Sequence, residues 1–291
     1  MKHQTRYAIT IAAVFWLAGG PAQGQMILVG STGNVTATSG TSHIVDIDLM
    51  TGAATNPRDT GIFVLAGIAT QPSTGILFGL TTLPSTPPNT LVTINPWTGA
   101  YSIVGPTGLS SIVEGDLAFN PIDGMLYGIQ DAGPMFNERN LFRLNPSTGQ
   151  ATTVGSIGTS GDYSALAFDS IGNLYTIDSG VPGNSVLQKI NPASGNVMDS
   201  LVMNVNLVSG VGMTFDPITG IAYVADGGQE NGARLLYTLE VLNGVLVPIG
   251  PTNIAGGISG LSFITVPEPS GLHFVAVGFA FVVRRLRRLL L

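Results

Sequence analysis

The sequence predicts an all-β protein, a five-bladed β-propeller of four-stranded blades, and three observations carry that expectation. A nine-residue strand-and-turn segment recurs as IVDIDLMTG ending at Gly52, LVTINPWTG at Gly99, LFRLNPSTG at Gly149, LQKINPASG at Gly195 and LYTLEVLNG at Gly244, at spacings of 47, 50, 46 and 49. A second turn motif interleaves with it: ATQPSTG through Gly75, AFNPIDG through Gly124, AFDSIG through Gly172 and TFDPITG through Gly220. The two ends of the array also complement each other. GLSFI from Gly260 matches the first strand of a repeat and then stops, whereas ILVGST from Ile27 matches a second strand, ILFGLT from Ile76. Together the ends make one shared blade, which closes the ring and removes exposed sheet edges.

Each repeat reads as two hairpins, with alternating strands and no helical period. In the repeat around Asn145 the strands are expected at residues 116–119, 125–130, 141–145 and 150–155. The Asn145 side chain is placed to accept turn amides, Pro146 presets its own torsion, and Gly149 can take the left-handed conformation that closes the hairpin. Met125, Tyr127 and Ile129 share one strand face, with Tyr175, Tyr223 and Phe78 at equivalent places. These aromatics read as core between sheets rather than as ligand platforms. Residues 25–265 hold the propeller, and five blades of about 48 residues fill that length. A six-bladed ring and an open β-solenoid are the weaker alternatives.

Composition narrows the chemistry. The 291 residues include 39 glycines and 18 prolines, are 44% hydrophobic and only 10% charged, and contain no cysteine. Disulfides, thiolate metal sites and cysteine nucleophiles are therefore excluded. Between Gln25 and Thr265 stand sixteen acidic residues against five basic ones. That sign disfavours nucleic acid as a partner. His43 is the only histidine in this stretch, which excludes a multi-histidine zinc site and argues against a His-dependent triad. The nucleophile elbow, the P-loop and the dinucleotide fingerprint are all missing from the sequence.

Both ends read as addresses. Lys2 and Arg6 precede an apolar run from Ala8 to Ala18 and a small-residue stretch to Gly24, the pattern of a secretory signal peptide over residues 1–24. Residues 266–291 contain Pro267, Glu268 and Pro269, an apolar run from Gly271 to Val283 expected to be helical, and Arg284, Arg285, Arg287 and Arg288. A helix of thirteen residues spans roughly 20 Å, less than the roughly 30 Å of a bilayer core. The flanking arginines can snorkel and hold the positive end on the cytoplasmic side, so that the segment stops in the membrane transiently.

On those residues the tail resembles the PEP-CTERM sorting signal of exported bacterial proteins. The resemblance covers the last 26 residues. It implies processing by signal peptidase and an exosortase-like membrane protease, and delivery to the cell surface, outer envelope or extracellular matrix. Retention as an ordinary membrane anchor is the other outcome for the tail. The resemblance concerns destination and implies no activity.

The architecture sorts the loops. Both glycine turns of each blade fall on one face, and the longer, more variable loops fall on the other, where binding usually resides. On that loop face stand Asp131, Asp178 and Asp226 after second strands, with Glu114, Asp116 and Asp162 leading into inner strands. Aspartate after a strand commonly just makes a turn. The sharper expectation is a calcium site at Asp131, Asp178 and Asp226, since calcium takes several carboxylate and carbonyl oxygens. No catalytic residue is assigned. The expected function is a non-catalytic binding or structural protein of the surface or matrix, recognising a polysaccharide or a protein. The alternative is an extracellular hydrolase or lyase acting on polysaccharide through acidic loop residues such as Glu114 and Asp162, if about 5 to 9 Å apart.

Overall fold

The computed structural model describes residues 24–32, 40–132, 138–158, 161–179, 183–207, 210–227, 234–254 and 257–267. The signal-peptide segment, Glu268 and Pro269 of the sorting motif, the apolar run from Gly271 and the arginine cluster lie outside them. By its internal contacts the chain divides into Met26–Val266 and a unit of Met1–Gln25 with Pro267–Leu291, and the first of these is the propeller.

Among the described residues twenty strands form five four-stranded antiparallel sheets. In chain order, β1 (Met26–Thr32), β2 (His43–Ile47) and β3 (Ala54–Asp59) belong to the closing blade. Blade 1 is β4 (Leu65–Thr70), β5 (Leu77–Thr81), β6 (Thr90–Ile94) and β7 (Tyr101–Pro106). Blade 2 is β8 (Leu117–Phe119), β9 (Leu126–Asp131), β10 (Arg139–Leu144) and β11 (Ala151–Gly158). Blade 3 is β12 (Tyr163–Phe168), β13 (Leu174–Asp178), β14 (Val186–Ile190) and β15 (Val197–Val202). Blade 4 is β16 (Gly212–Phe215), β17 (Ala222–Ala225), β18 (Leu235–Glu240) and β19 (Val245–Pro251). The last strand, β20 (Ile258–Thr265), pairs with β1 from Met26↔Thr265 to Thr32↔Ile258, so the closing sheet runs β20-β1-β2-β3. The shared blade expected from the sequence is therefore present.

The repeated segment is a strand with its turn. Ser147 N–H donates to Asn145 Oδ1 at 2.8 Å, and Gly149 N–H to the Asn145 carbonyl at 2.8 Å. Gly149 has φ 79°. It has a second role that the sequence does not reveal. A Cβ there would overlap the Gly105 carbonyl on the outer strand of the preceding blade, and Gly52 and Gly195 meet Gly250 and Gly155 in the same way. Glycine serves both the turn and the approach of neighbouring blades.

Buried apolar side chains form five clusters, one at each blade junction. Four junctions carry an aromatic pair between a second strand and the next inner strand: Phe78–Phe119, Tyr127–Phe168, Tyr175–Phe215 and Tyr223–Phe263, with ring centroids 5.2–5.9 Å apart. Such tilted and edge-on pairs add to the burial of each ring. The aromatics identified in the sequence are core, as expected.

Candidate functional site

Two regions combine exposure with chemistry: a group of carboxyls where blades 2 and 3 meet on the loop face, and a cavity on the ring axis opening at the hairpin face.

The loop-face group grows from the ends of strands. Asp131 ends β9 and is buried. Its Oδ2 lies 3.3 Å from Arg139 Nε and accepts the Tyr163 N–H of blade 3 at 3.3 Å. Arg139, also buried, donates from Nε to the Gly161 carbonyl at 2.9 Å. Asp178 ends β13, and its Oδ1 accepts the Asp162 N–H at 2.9 Å. Asp162 is hydrogen-bonded through its side chain to Glu114. Burial, the Glu114 charge and hydrogen bond, and the Asp178 charge push Asp162 up to about 7, against the opposing pull of Arg139. Asp162 is thus partly protonated near neutral pH, as a buried carboxyl among other carboxylates is.

Asp116 does not join this pair. It is fully buried where the inner strands converge, with Oδ1 accepting its neighbour Leu117 N–H at 2.8 Å and Oδ2 accepting Leu166 N–H of blade 3 at 2.9 Å. Gly67 of blade 1 packs so closely that a Cβ there would strike Asp116. Burial raises the Asp116 carboxyl well above its ordinary value despite the two amide bonds. Asp226 follows β17 in blade 4, where its amide donates to the Leu235 carbonyl at 3.1 Å. Among the described residues no group of three or more His, Asp or Glu is arranged to hold a metal ion.

Arg139 was not among the sequence candidates, although a positional signal exists. It lies ten residues before Gly149, as Ser42, Asn89, Ser185 and Arg234 lie ten before the closing glycines of their own segments. Each of the five binds the connection entering the next blade. Ser42 and Ser185 accept the N–H groups of Leu65 and Leu207 at 3.0 and 2.8 Å, and Asn89 accepts that of Ile112 at 3.1 Å. Arg139 and Arg234 donate to the carbonyls of Gly161 and Ile254. One position thus staples blade to blade with either polarity.

The axial cavity, about 520 Å³, is lined by three successive residues from the inner strand of every blade. Small residues make one tier: Ala69, Ala118, Ala167, Thr214 and Ser262. The next residue in each strand is Thr70, Phe119, Phe168, Phe215 or Phe263. Asp169 and Asp216 stand at the mouth, but both hold their own turns: Asp169 accepts the Ile171 and Asn173 amides, and Asp216 those of Ile218 and Thr219. Sequence reasoning read the ATQP, AFNP, AFDS and TFDP segments as strand and turn only. The small residue repeated before each turn was the available sign of an axial space.

Comparison with protein families matches residues 115–265, just over half of the chain, to the repeat of unknown function DUF6923. The chain belongs to this family. The DUF6923 match begins beside Asp116 and ends at the last residue of β20, so it takes in the inner strand of the closing blade. A comparison with curated proteins finds no match. Among solved structures, a chain of a nidogen/laminin complex is similar with a TM-score of 0.50 and 10% identity, over 82% of this chain and 98% of that one. A protein of unknown function from Bacteroides caccae is similar with a TM-score of 0.51 and 14% identity, over 83% and 99%. At these identities the likeness concerns the fold of this DUF6923 protein alone.

Proposed function

We propose that the chain is an exported protein of the cell surface, outer envelope or matrix whose propeller is a non-catalytic binding or structural module. The sequence ends support export: an N-terminal segment of signal-peptide pattern, and a tail resembling PEP-CTERM signals that signal peptidase and an exosortase-like protease would process. The observation that carries the non-catalytic reading is the engagement of the acidic residues. Asp116 and Asp131 accept backbone amides of the next blade, Asp178 accepts that of Asp162 within its own blade, and Asp131 faces Arg139. These groups tie strands and blades together in the ring. The partner class is an envelope or matrix polysaccharide or protein.

One observation favours the second reading, a hydrolase or lyase acting on polysaccharide. Asp162 is raised to about 7 beside Glu114, and both side chains are partly exposed, so Asp162 can hold and release a proton at neutral pH. The test is incubation of purified protein with envelope and matrix polysaccharide fractions, following both retention and chain length. Retention without shortening is expected. Shortened product that disappears in Glu114→Gln and Asp162→Asn would establish the enzyme instead.

A further inference from the structure

The hairpin face carries an arrangement that turn chemistry does not require. At the tips of its turns stand Met50, Trp97, Ile122, Ile171, Ile218 and Leu242, all exposed, with Met50 at 89% and Leu242 at 91%. Five of these tips are anchored from below by a side chain accepting the tip amide: Met50 on Asp48, Trp97 on Asn95, Ile122 on Asn120, Ile171 on Asp169 and Ile218 on Asp216, at 2.8–3.1 Å. Ser147 and Ala193 hold the same anchored place on Asn145 and Asn191. The turn therefore works with a small or polar tip. The six larger apolar side chains satisfy something outside it.

Their placement is one-sided. In an antiparallel blade the turns after the first and third strands share a face, so all six tips project from the same side. Among the described residues the large apolar side chains exposed in the loops of the other face are Phe63, Leu83 and Val113, at 39–43%. Met26 and Thr265, where the chain enters and leaves the ring, pair with each other and line the cavity mouth on the hairpin side. Six residues after Thr265 the sequence begins its apolar run at Gly271.

We infer that the hairpin face is a membrane-docking surface, on which the turn tips enter the interfacial layer of a lipid bilayer while the loop face points away. Apolar side chains on rigid supports, with a tryptophan among them, suit the boundary between headgroups and acyl chains. The charges select the lipid. Asp48, Asp123, Asp169, Asp216 and Glu240 sit in the same turns, so the surface suits zwitterionic lipid and is repelled by anionic headgroups. The inference goes beyond the proposed function, which names a polysaccharide or protein partner. It concerns the ring itself and does not depend on whether the tail is removed.

The ring can be tested without the tail, because Met26–Val266 contains both halves of the closing blade and all five core clusters. The probe is vesicles of phosphatidylcholine and phosphatidylethanolamine, read by flotation and by the emission of Trp97, the only tryptophan left after residue 16. Expected are co-flotation with a blue shift, weaker flotation when anionic lipid is mixed in, and a loss of partitioning of about tenfold or more in Met50→Ser/Ile122→Ser/Ile218→Ser/Leu242→Ser. An unchanged melt of that variant shows that the ring survives, as serine at position 147 leads one to expect. A ring that stays unfloated with unshifted Trp97 emission overturns the inference, as does flotation unaffected by the four substitutions. A vesicle-free dimer mediated by these tips, without flotation, overturns it in favour of self-association.

Discussion

Thr70 on the inner strand of blade 1 donates its N–H to Ser262 Oγ of the closing blade at 2.9 Å, and the two hydroxyls lie 2.7 Å apart. By sheet register Thr70 occupies the place of Phe119, Phe168, Phe215 and Phe263, since Thr70 pairs with Leu77 as Phe119 pairs with Leu126 and Phe263 with Leu28. The junction where the ring closes thus replaces an aromatic pair by hydrogen bonds. A directional contact suits a junction formed between residues nearly two hundred positions apart.

Ser262→Ala should therefore destabilise the ring by about 1–3 kcal/mol, because the partly buried Thr70 groups lose their partner. Phe168→Ala, which removes a ring packed on Tyr127 at 5.2 Å, should cost about 3–5 kcal/mol. Urea melts of both variants check the order. A neutral Ser262→Ala would show that hydrogen bonding at the seam contributes little.

The two roles of the turn glycines can be separated. Gly124 has φ 70°, and a methyl group there would meet nothing within 4 Å, whereas a methyl on Gly149 would overlap the Gly105 carbonyl. Gly124→Ala should cost about 1–2 kcal/mol, from the left-handed conformation alone. Gly149→Ala should cost about 1–3 kcal/mol more, from displacing the neighbouring blade. Equal losses in denaturant melts would refute the close-approach role.

Stability should peak on the acid side of neutrality. Asp162, raised to about 7, and Asp116, raised by burial, bind protons more tightly when folded. Their contribution is present at low pH and is lost as pH rises above about 4, the unfolded carboxylate range, for Asp162 through about 7 and for Asp116 through its own raised value. At the acid end Asp46 acts oppositely: burial would raise it, but hydrogen bonds from Arg58 and Asn56 and the Arg58 charge outweigh this and hold it below its ordinary value. Its contribution is lost as pH falls below about 4. Melting temperature should rise from pH 8 to pH 5, and Asp162→Asn should flatten that rise. A wild-type profile flat from pH 5 to 8 would contradict the raised Asp162 carboxyl.

Calcium should leave the melt unchanged. Asp131 and Asp178 already accept amides, and a ligand at about 100 times its dissociation constant would stabilise by about 2.7 kcal/mol. A chelator-sensitive melt restored by calcium would assign Asp131, Asp178 and Asp226 to a metal site.

What was legible in the sequence was local and periodic. Asn145 and Gly149 declare their turn within five residues, and the fivefold recurrence declares the ring. Strand ends shifted modestly: β10 begins at Arg139 rather than at Leu141, and β11 runs on to Gly158, because Arg139 is drawn in by Asp131 and pairs with Gly158. The sequence named the acidic residues of the loop face but neither Arg139 nor the geometry. Glu114 meets Asp162, and Asp116 turns instead to Leu166 fifty residues away; both outcomes depend on how one blade packs on the next. The cavity escaped notice because its tier of alanine, threonine and serine is marked by small size rather than by reactive groups.

The most direct test of an exported, surface-displayed propeller is the intact mass of the mature protein in each cell fraction. The expected result is surface or matrix material that lacks residues 1–24 and Arg284 to Arg288. A full-length chain that keeps Met1 and stays in the cytoplasm would contradict export, and surface protein still carrying the arginine cluster would contradict removal of the tail.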